Sequence, residues 1–262
     1  MPKIAITGKG GVGKTTLAAL MAHIYAEAGH KVIAIDADPA ASLAYALGMP
    51  DDLAAKVTPI AEMEDLIYER TGAKPGTSGG FFTLNPRVDD IPDRFSVQYR
   101  GIRLLQLGTI SSGGSGCICP ESAILRALVT YVILYRDEVM ILDMDAGVEH
   151  LGRATAKAVD AFLIVVEPGR RSLSTAANIQ KLAADIGVTH CFVVGNKVRG
   201  PADRDFIQGN LPPDLPMIGY LSASQEAIEA DLRGQAVFDA APSLVEEARQ
   251  IVAHFDARIA TS

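Results

Sequence analysis

The stretch Lys3-Ile4-Ala5-Ile6-Thr7-Gly8-Lys9-Gly10-Gly11-Val12-Gly13-Lys14-Thr15-Thr16 decides how the rest of the chain is read. Its opening, Lys3 to Thr7, is a short β-prone run, and Thr16 to Ala28 is alanine- and leucine-rich with Leu17, Leu20, Met21 and Ile24 on one helical face. Between strand and helix stands the pattern Gly, four residues, Gly-Lys-Thr. That spacing turns successive backbone N–H groups inward toward α- and β-phosphates, where bulkier residues would block the approach. Gly10, Gly11, Val12 and Gly13 supply the amides, Lys14 reaches the β/γ oxygens, and Thr15 offers its hydroxyl to Mg²⁺, with Thr16 behind it. A glycine-rich turn without a ligand is the alternative, and the flanking strand and helix weigh against it. A second lysine, Lys9, follows the first glycine.

Outward from this loop the chain repeats the same alternation. Apolar runs at Lys31 to Ile35, Ile102 to Leu107, Val139 to Leu142, Ala161 to Val166, Cys191 to Gly195 and Met217 to Leu221 are separated by helical periodicity, clearest at Glu121 to Arg136, Ser172 to Ile186 and Ser243 to Ile259. The pattern predicts an α/β fold with a mainly parallel central sheet flanked by helices on both faces. In the last helix Leu244, Ala248, Ile251 and Phe255 share a face opposite Glu246, Glu247 and Arg249, which reads as a covering helix rather than a membrane anchor. One region breaks the rhythm: Thr71 to Asp93, rich in Gly, Pro, Ser and Asp, reads as a long loop, either a partner-facing element or a surface insertion. No internal repeat or boundary appears, so a single domain over 1–262 is expected.

Bulk properties narrow the function classes. A chain of 262 residues with 48% hydrophobic content and no Trp can bury one large core. A formal charge of −7 and a pI near 5.2 argue against a general nucleic-acid binder, which needs clustered Lys and Arg. No apolar run is long enough for a transmembrane helix, and a strand and phosphate loop at the very start leave no room for a signal peptide. A cytoplasmic setting without membrane or nucleic-acid partners is therefore expected. Three cysteines are a poor disulfide framework there, and Cys117 and Cys119 stand two residues apart.

Two acidic segments complete a nucleoside triphosphate site. Asp36-Ala37-Asp38-Pro39 follows the second strand, and Asp143-Met144-Asp145-Ala146-Gly147 follows a later one. Carboxylates at the carboxyl ends of parallel strands beside a phosphate loop are placed to hold Mg²⁺ and orient an attacking water, and Gly147 can offer an N–H to the γ-phosphate. Together with Gly8 to Thr15, these segments resemble the deviant Walker A class of P-loop ATPases, which includes the nitrogenase iron protein and the MinD and ParA ATPases. The resemblance implies that ATP is hydrolysed by a homodimer. It implies that Lys9 reaches across the two-fold axis to the partner's phosphates, and that Asp38 positions or activates the water. Asp36 and Asp143 would then serve the Mg²⁺ shell, and Asn196-Lys197, after the strand Cys191 to Gly195, would cradle the adenine. Leu221-Ser222-Ala223-Ser224 departs from the Ile-Pro-x-Asp of many relatives, which leaves that loop's contacts open.

Cys117-Ile118-Cys119-Pro120 follows a Gly/Ser-rich run. In an extended segment residues two apart project to one side, and Zn–S bonds of about 2.3 Å put tetrahedral sulfurs roughly 3.8 Å apart, within reach of one metal. Two thiolates do not complete a site; a copy of the loop across a dimer axis would supply two more. Soft thiolates suit Zn²⁺, Cu(I), Ni²⁺ or an iron–sulfur cluster, while a redox pair or two buried small residues are the blander alternatives. Cys191, inside a strand, reads as core packing, and His150 is the histidine nearest the acidic segments. The combination of Cys117-x-Cys119, Leu84-Asn85-Pro86-Arg87-Val88 and Gly147-Val148-Glu149-His150 resembles the CooC family, ATPases that assist nickel insertion into carbon monoxide dehydrogenase, with relatives serving acetyl-CoA synthase. The resemblance implies an ATP-driven metallochaperone with nickel or zinc shared by Cys117 and Cys119 of two subunits. An iron–sulfur electron-transfer ATPase and a positioning ATPase of the MinD/ParA kind are the competing readings.

Overall fold

The computed structural model of the protein describes residues 1–76, 81–108, 119–145 and 159–260. Within them β1 (Lys3–Gly8), β2 (Val32–Ala37), β3 (Val97–Tyr99), β4 (Ile102–Gln106), β5 (Val139–Met144), β6 (Ala161–Val166), β7 (Cys191–Val198) and β8 (Met217–Ser222) form one sheet in the order β3-β4-β2-β5-β1-β6-β7-β8. Every neighbouring pair is parallel except β3 with β4. The predicted mainly parallel sheet is therefore present, and β1 lies at its centre between β5 and β6.

The strands are continuous apolar runs because both faces of the sheet are covered. Ile4 and Ile6 of β1 point to one core, with the helices Lys14–Glu27 and Pro242–Ala260 packed over them, while Ala5 points to the other, beneath Pro120–Tyr135 and Arg170–Ile186. Helix Pro242–Ala260 buries Leu244, Ala248, Ile251 and Phe255, the face read from the sequence. Pro120–Tyr135 joins two parallel strands, β4 and β5, so it begins at the carboxyl end of the sheet and runs back to the amino end.

Some elements were not anticipated. β3 is only three residues long and turns into β4 through Arg100 and Gly101, whose positive φ values of 49° and 82° suit a two-residue hairpin. Of the helices Glu64–Thr71, Pro201–Asn210 and Gln225–Leu232, the first packs on Pro120–Tyr135 and the second on β7. The long loop begins at Gly72, which ends the first of these helices with φ 79°, and its described part gives way to the short helix Ile91–Phe95. It is not loosely held: Pro86, Val88 and Ile91 are buried, the Thr83 N–H donates to the Thr71 carbonyl at 2.8 Å, and Arg70 pairs with Asp90 at 2.7 Å.

Candidate nucleotide and metal site

The phosphate loop is shaped by close backbone approach. Gly8 carries φ 150°, and a Cβ there would lie 2.4 Å from the carbonyl oxygen of Val165 on neighbouring β6. Gly13, at φ 94°, caps helix Lys14–Glu27, and a Cβ there would sit 2.1 Å from the Asn196 amide nitrogen. Gly10 differs. A Cβ at Gly10 would meet nothing within 4 Å, so its side of the loop faces open space in which a phosphate fits.

Lys14 is buried with its ammonium 3.8 Å from Asp38 Oδ2 and 3.8 Å from Asp145 Oδ1. The expected carboxylates are here, but Asp36 and Asp143 lie within β2 and β5 rather than beyond them. The parallel register sets Asp36 directly beside Asp143. Asp36 is held by the N–H groups of Leu43 (2.9 Å) and Asp38 (3.1 Å), yet burial pushes its carboxyl up to about 6. Asp143 is fully buried, neither of its oxygens makes a hydrogen bond of ordinary geometry among the described residues, and desolvation raises it to about 7 against the opposing pull of the nearby Thr15 hydroxyl and of Lys14. A buried carboxylate left without donors is costly unless a cation meets it. With the Thr15 hydroxyl beside it, this set of hard oxygens fits Mg²⁺.

Asn196 and Lys197 lie within a strand that extends past Gly195. β7 runs through both, with a bulge between Gly195 and Val198, and Lys197 takes a left-handed φ of 55°. The Asn196 amide donates to the Val12 carbonyl at 2.7 Å and accepts from the Lys197 N–H at 2.8 Å. The Lys197 ammonium donates to the Gly11 carbonyl at 2.6 Å. Both residues thus brace the phosphate loop from behind in this state. A groove of about 900 Å³ continues from Gly11 and Thr15 past Lys197 to Ser222, Ala223 and Ser224, which line its far end.

Lys9 does not enter its own chain's phosphate site. Its ammonium is half-exposed and lies 3.5 Å from Glu167 Oε1, while the other oxygen of Glu167 is 3.7 Å from Lys197. Sequence reasoning missed Glu167 and Asp145 as partners of the two loop lysines. The signal was present, since Glu167 follows β6 directly and Asp145 is two residues beyond Asp143 on the same side of an extended chain.

Cys119 lies at the start of helix Pro120–Tyr135, buried, with extended φ and ψ of −121° and 160°. Its sulfur accepts the Ser122 N–H, and the Ser122 hydroxyl accepts the Cys119 N–H at 3.2 Å, a reciprocal cap. Glu121, also buried, accepts the Gly76 N–H at 2.6 Å and so ties the long loop to this turn; its second oxygen has no partner among the described residues. Cys117, Gly147 and His150 lie outside the described residues, and among the described residues no cluster of three or more His, Cys, Asp or Glu side chains could hold a metal by itself. Cys191 is a partly buried strand residue whose thiol burial pushes up to about 11, consistent with packing rather than reactivity.

Residues 3–237 match the CobQ/CobB/MinD/ParA nucleotide binding domain. The chain is 44% identical over 251 residues, 96% of its length and 95% of the relative's, to the carbon monoxide dehydrogenase accessory protein CooC of Rhodospirillum rubrum. It is also 44% identical to an uncharacterized ATP-binding protein of Methanocaldococcus jannaschii, with 90% of each chain covered. Among solved structures, the septum site-determining protein MinD from Pyrococcus horikoshii, complexed with Mg-ADP, superposes with a TM-score of 0.67 at 18% identity, covering 98% of this chain and 96% of that one. A plasmid partition protein from Borrelia burgdorferi bound to AMPPNP gives 0.68 at 14%, covering 98% and 100%. At such identities these two speak for the fold. The chain therefore belongs to the CobQ/CobB/MinD/ParA nucleotide-binding family and, within it, to the CooC family of P-loop ATPases.

Proposed function

We propose that this ATPase is a metallochaperone that works as a homodimer in the cytoplasm and assists nickel insertion into carbon monoxide dehydrogenase or a related enzyme such as acetyl-CoA synthase. The observation that carries the reading is the 44% identity to CooC along 96% of the chain. Lys14 and the amides of Gly10 to Gly13 hold the phosphates, with Thr16 behind them and Gly147 offering its N–H to the γ-phosphate. Asp143, Asp36 and Thr15 hold Mg²⁺, which when bound screens the charge of the phosphates. Asp38 positions the attacking water. Asn196 and Lys197, which brace Val12 and Gly11, release side-chain donors toward the base as nucleotide fills the groove.

Lys9 acts in trans. In the single chain Glu167 holds its ammonium, and association with a second copy exchanges that carboxylate for the partner's phosphates, a cation supplied where transition-state charge develops. The same association sets Cys117 and Cys119 of each chain around one nickel or zinc ion. The buried sulfur of Cys119 sits at a helix N-terminus, where a negatively charged ligand atom is favourably placed.

Metal analysis of the purified dimer, with and without Mg·ATP, tests the reading. One nickel or zinc ion per dimer is expected, lost in Cys117→Ser and Cys119→Ser while ATP binding survives. Unchanged metal content in both variants would overturn the assignment. A brown, iron-containing protein after anaerobic purification would favour an electron-transfer ATPase instead.

A further inference from the structure

The long loop and helix Pro120–Tyr135 enclose a groove of about 620 Å³ that the nucleotide chemistry does not use. Ala123, Ala127, Tyr131 and Tyr135 recur every four residues along its helical wall, with Leu84 and Pro86 opposite. The loop wall is preformed, because Val88 is buried and Arg70 grips both the Arg87 carbonyl and Asp90. The groove is nevertheless open: Tyr135 is 72% exposed and Leu84 57%. Its charges are unequal as well. Arg87 is neutralised by Asp89 at 2.6 Å, whereas Arg126 donates only to the Ser122 carbonyl and hydroxyl and pairs with no carboxylate among the described residues.

We propose that this groove receives an extended segment of the metal-accepting enzyme, with apolar side chains against Tyr131, Tyr135, Leu84 and Pro86 and one carboxylate against Arg126. From Ala123 to Tyr135 the helix rises about 18 Å, the span of about five residues of extended chain. Tyrosine and arginine in a partly desolvated groove are the side chains that most often dominate a protein interface. A guanidinium that meets no carboxylate among the described residues asks for an acidic partner. A second copy that met this chain through Lys9 would approach the carboxyl end of the sheet, while the groove descends the flank to Tyr135, beside the amino end of β5, and stays open in such a dimer. Its upper end lies one helical turn from Cys119, so the bound segment would hold the acceptor beside the metal-bearing turn. The inference rests on the client reading above.

Binding of the full-length protein with Mg·ATP to immobilised, nickel-free carbon monoxide dehydrogenase tests it. Arg126→Glu, Tyr135→Glu and Leu84→Glu should each weaken binding at least tenfold, with dimerisation and basal ATP hydrolysis within twofold of wild type. Leu182→Glu, at another exposed apolar position, should bind as wild type does. Groove variants that all bind like wild type would overturn the groove and leave the client reading standing. Variants that lose the dimer instead would make the groove a contact between copies and overturn it too. A wild-type protein that does not bind the dehydrogenase would overturn the client reading, and the inference with it.

Discussion

The phosphate loop and the turn that carries Cys119 stand at the same end of the sheet, yet only the first is pinned by close backbone contact. The phosphate loop is fixed first by backbone packing, with Gly8 against the Val165 carbonyl, and the side chains of Asn196 and Lys197 add bonds to the carbonyls of Val12 and Gly11. The Cys119 turn is fixed by side chains, through the Ser122 cap and the Glu121 bond to Gly76. Backbone packed at this distance has no room to adjust, whereas side-chain hydrogen bonds are exchanged for about 1 kcal/mol each. A cradle that must present the same geometry at every turnover suits the first construction. The second suits a turn that takes up and surrenders a ligand, the role proposed for Cys119.

The largest effect expected from this contrast is on catalysis. Lys9→Met should lower kcat by about 10³, the scale of a cation supplied in trans, with ATP affinity close to wild type. Its hydrolysis should partly recover when mixed with a Lys14→Ala chain, because a mixed dimer pairs an intact phosphate site with an intact Lys9. Absence of recovery in the mixture would show that Lys9 acts within its own chain.

Gly8 and Gly10 separate packing from ligand binding. Gly8→Ala drives a Cβ into the Val165 carbonyl and should destabilise the protein by about 3 kcal/mol, lowering Tm by roughly 6–12 °C. Gly10→Ala meets no protein atom, so thermal unfolding should be unchanged while nucleotide affinity falls. Equal melting losses in the two variants would break the assignment of Gly10 to the ligand.

The carboxylate pair gives a smaller, pH-dependent effect. Burial lifts Asp143 to about 7 and Asp36 to about 6. Between the ordinary carboxylate range and those values the unfolded chain has lost its protons while the folded one keeps them, so metal-free stability falls as pH rises through that window. A cation must displace the Asp143 proton, and at pH 5.5 that competition weakens binding about 30-fold, or about 2 kcal/mol. The gain in Tm from Mg·ADP over ADP alone should therefore be several degrees larger at pH 8 than at pH 5.5, and Asp143→Asn should abolish the difference.

How much of this was legible depends on the range of the interactions. Parallel strands buried on both faces are continuous apolar runs, so β1, β2 and β4 to β8 could be read directly, and an aspartate ending such a run, like Asp36 or Asp143, stands out against it. β3 could not be read, because Val97-Gln98-Tyr99 is too short for a pattern and its turn is Arg-Gly rather than the usual Asn-Gly. The brace from Asn196 to Val12 spans 184 residues and depends on a bulge no local signal announces. The groove beside Arg126 exists only because the long loop folds back on the helix through Arg70, Pro86 and Val88.

The smallest effect is the sharpest test of the contrast. Ser122→Ala removes the hydroxyl that accepts the Cys119 N–H and donates to the Cys119 carbonyl, and it should cost about 1 kcal/mol, as loss of a helix cap does. Amide hydrogen exchange should then quicken from Cys119 to Ala123, while amides of Gly10 to Gly13 keep their protection, because they are held by Gly8, Asn196 and Lys197 rather than by the Cys119 turn. Quickened exchange in both places would mean that the cysteine turn and the phosphate loop open together. The two constructions would then be one cooperative unit, and nucleotide could reach the Cys119 turn through the fold itself, without a second subunit.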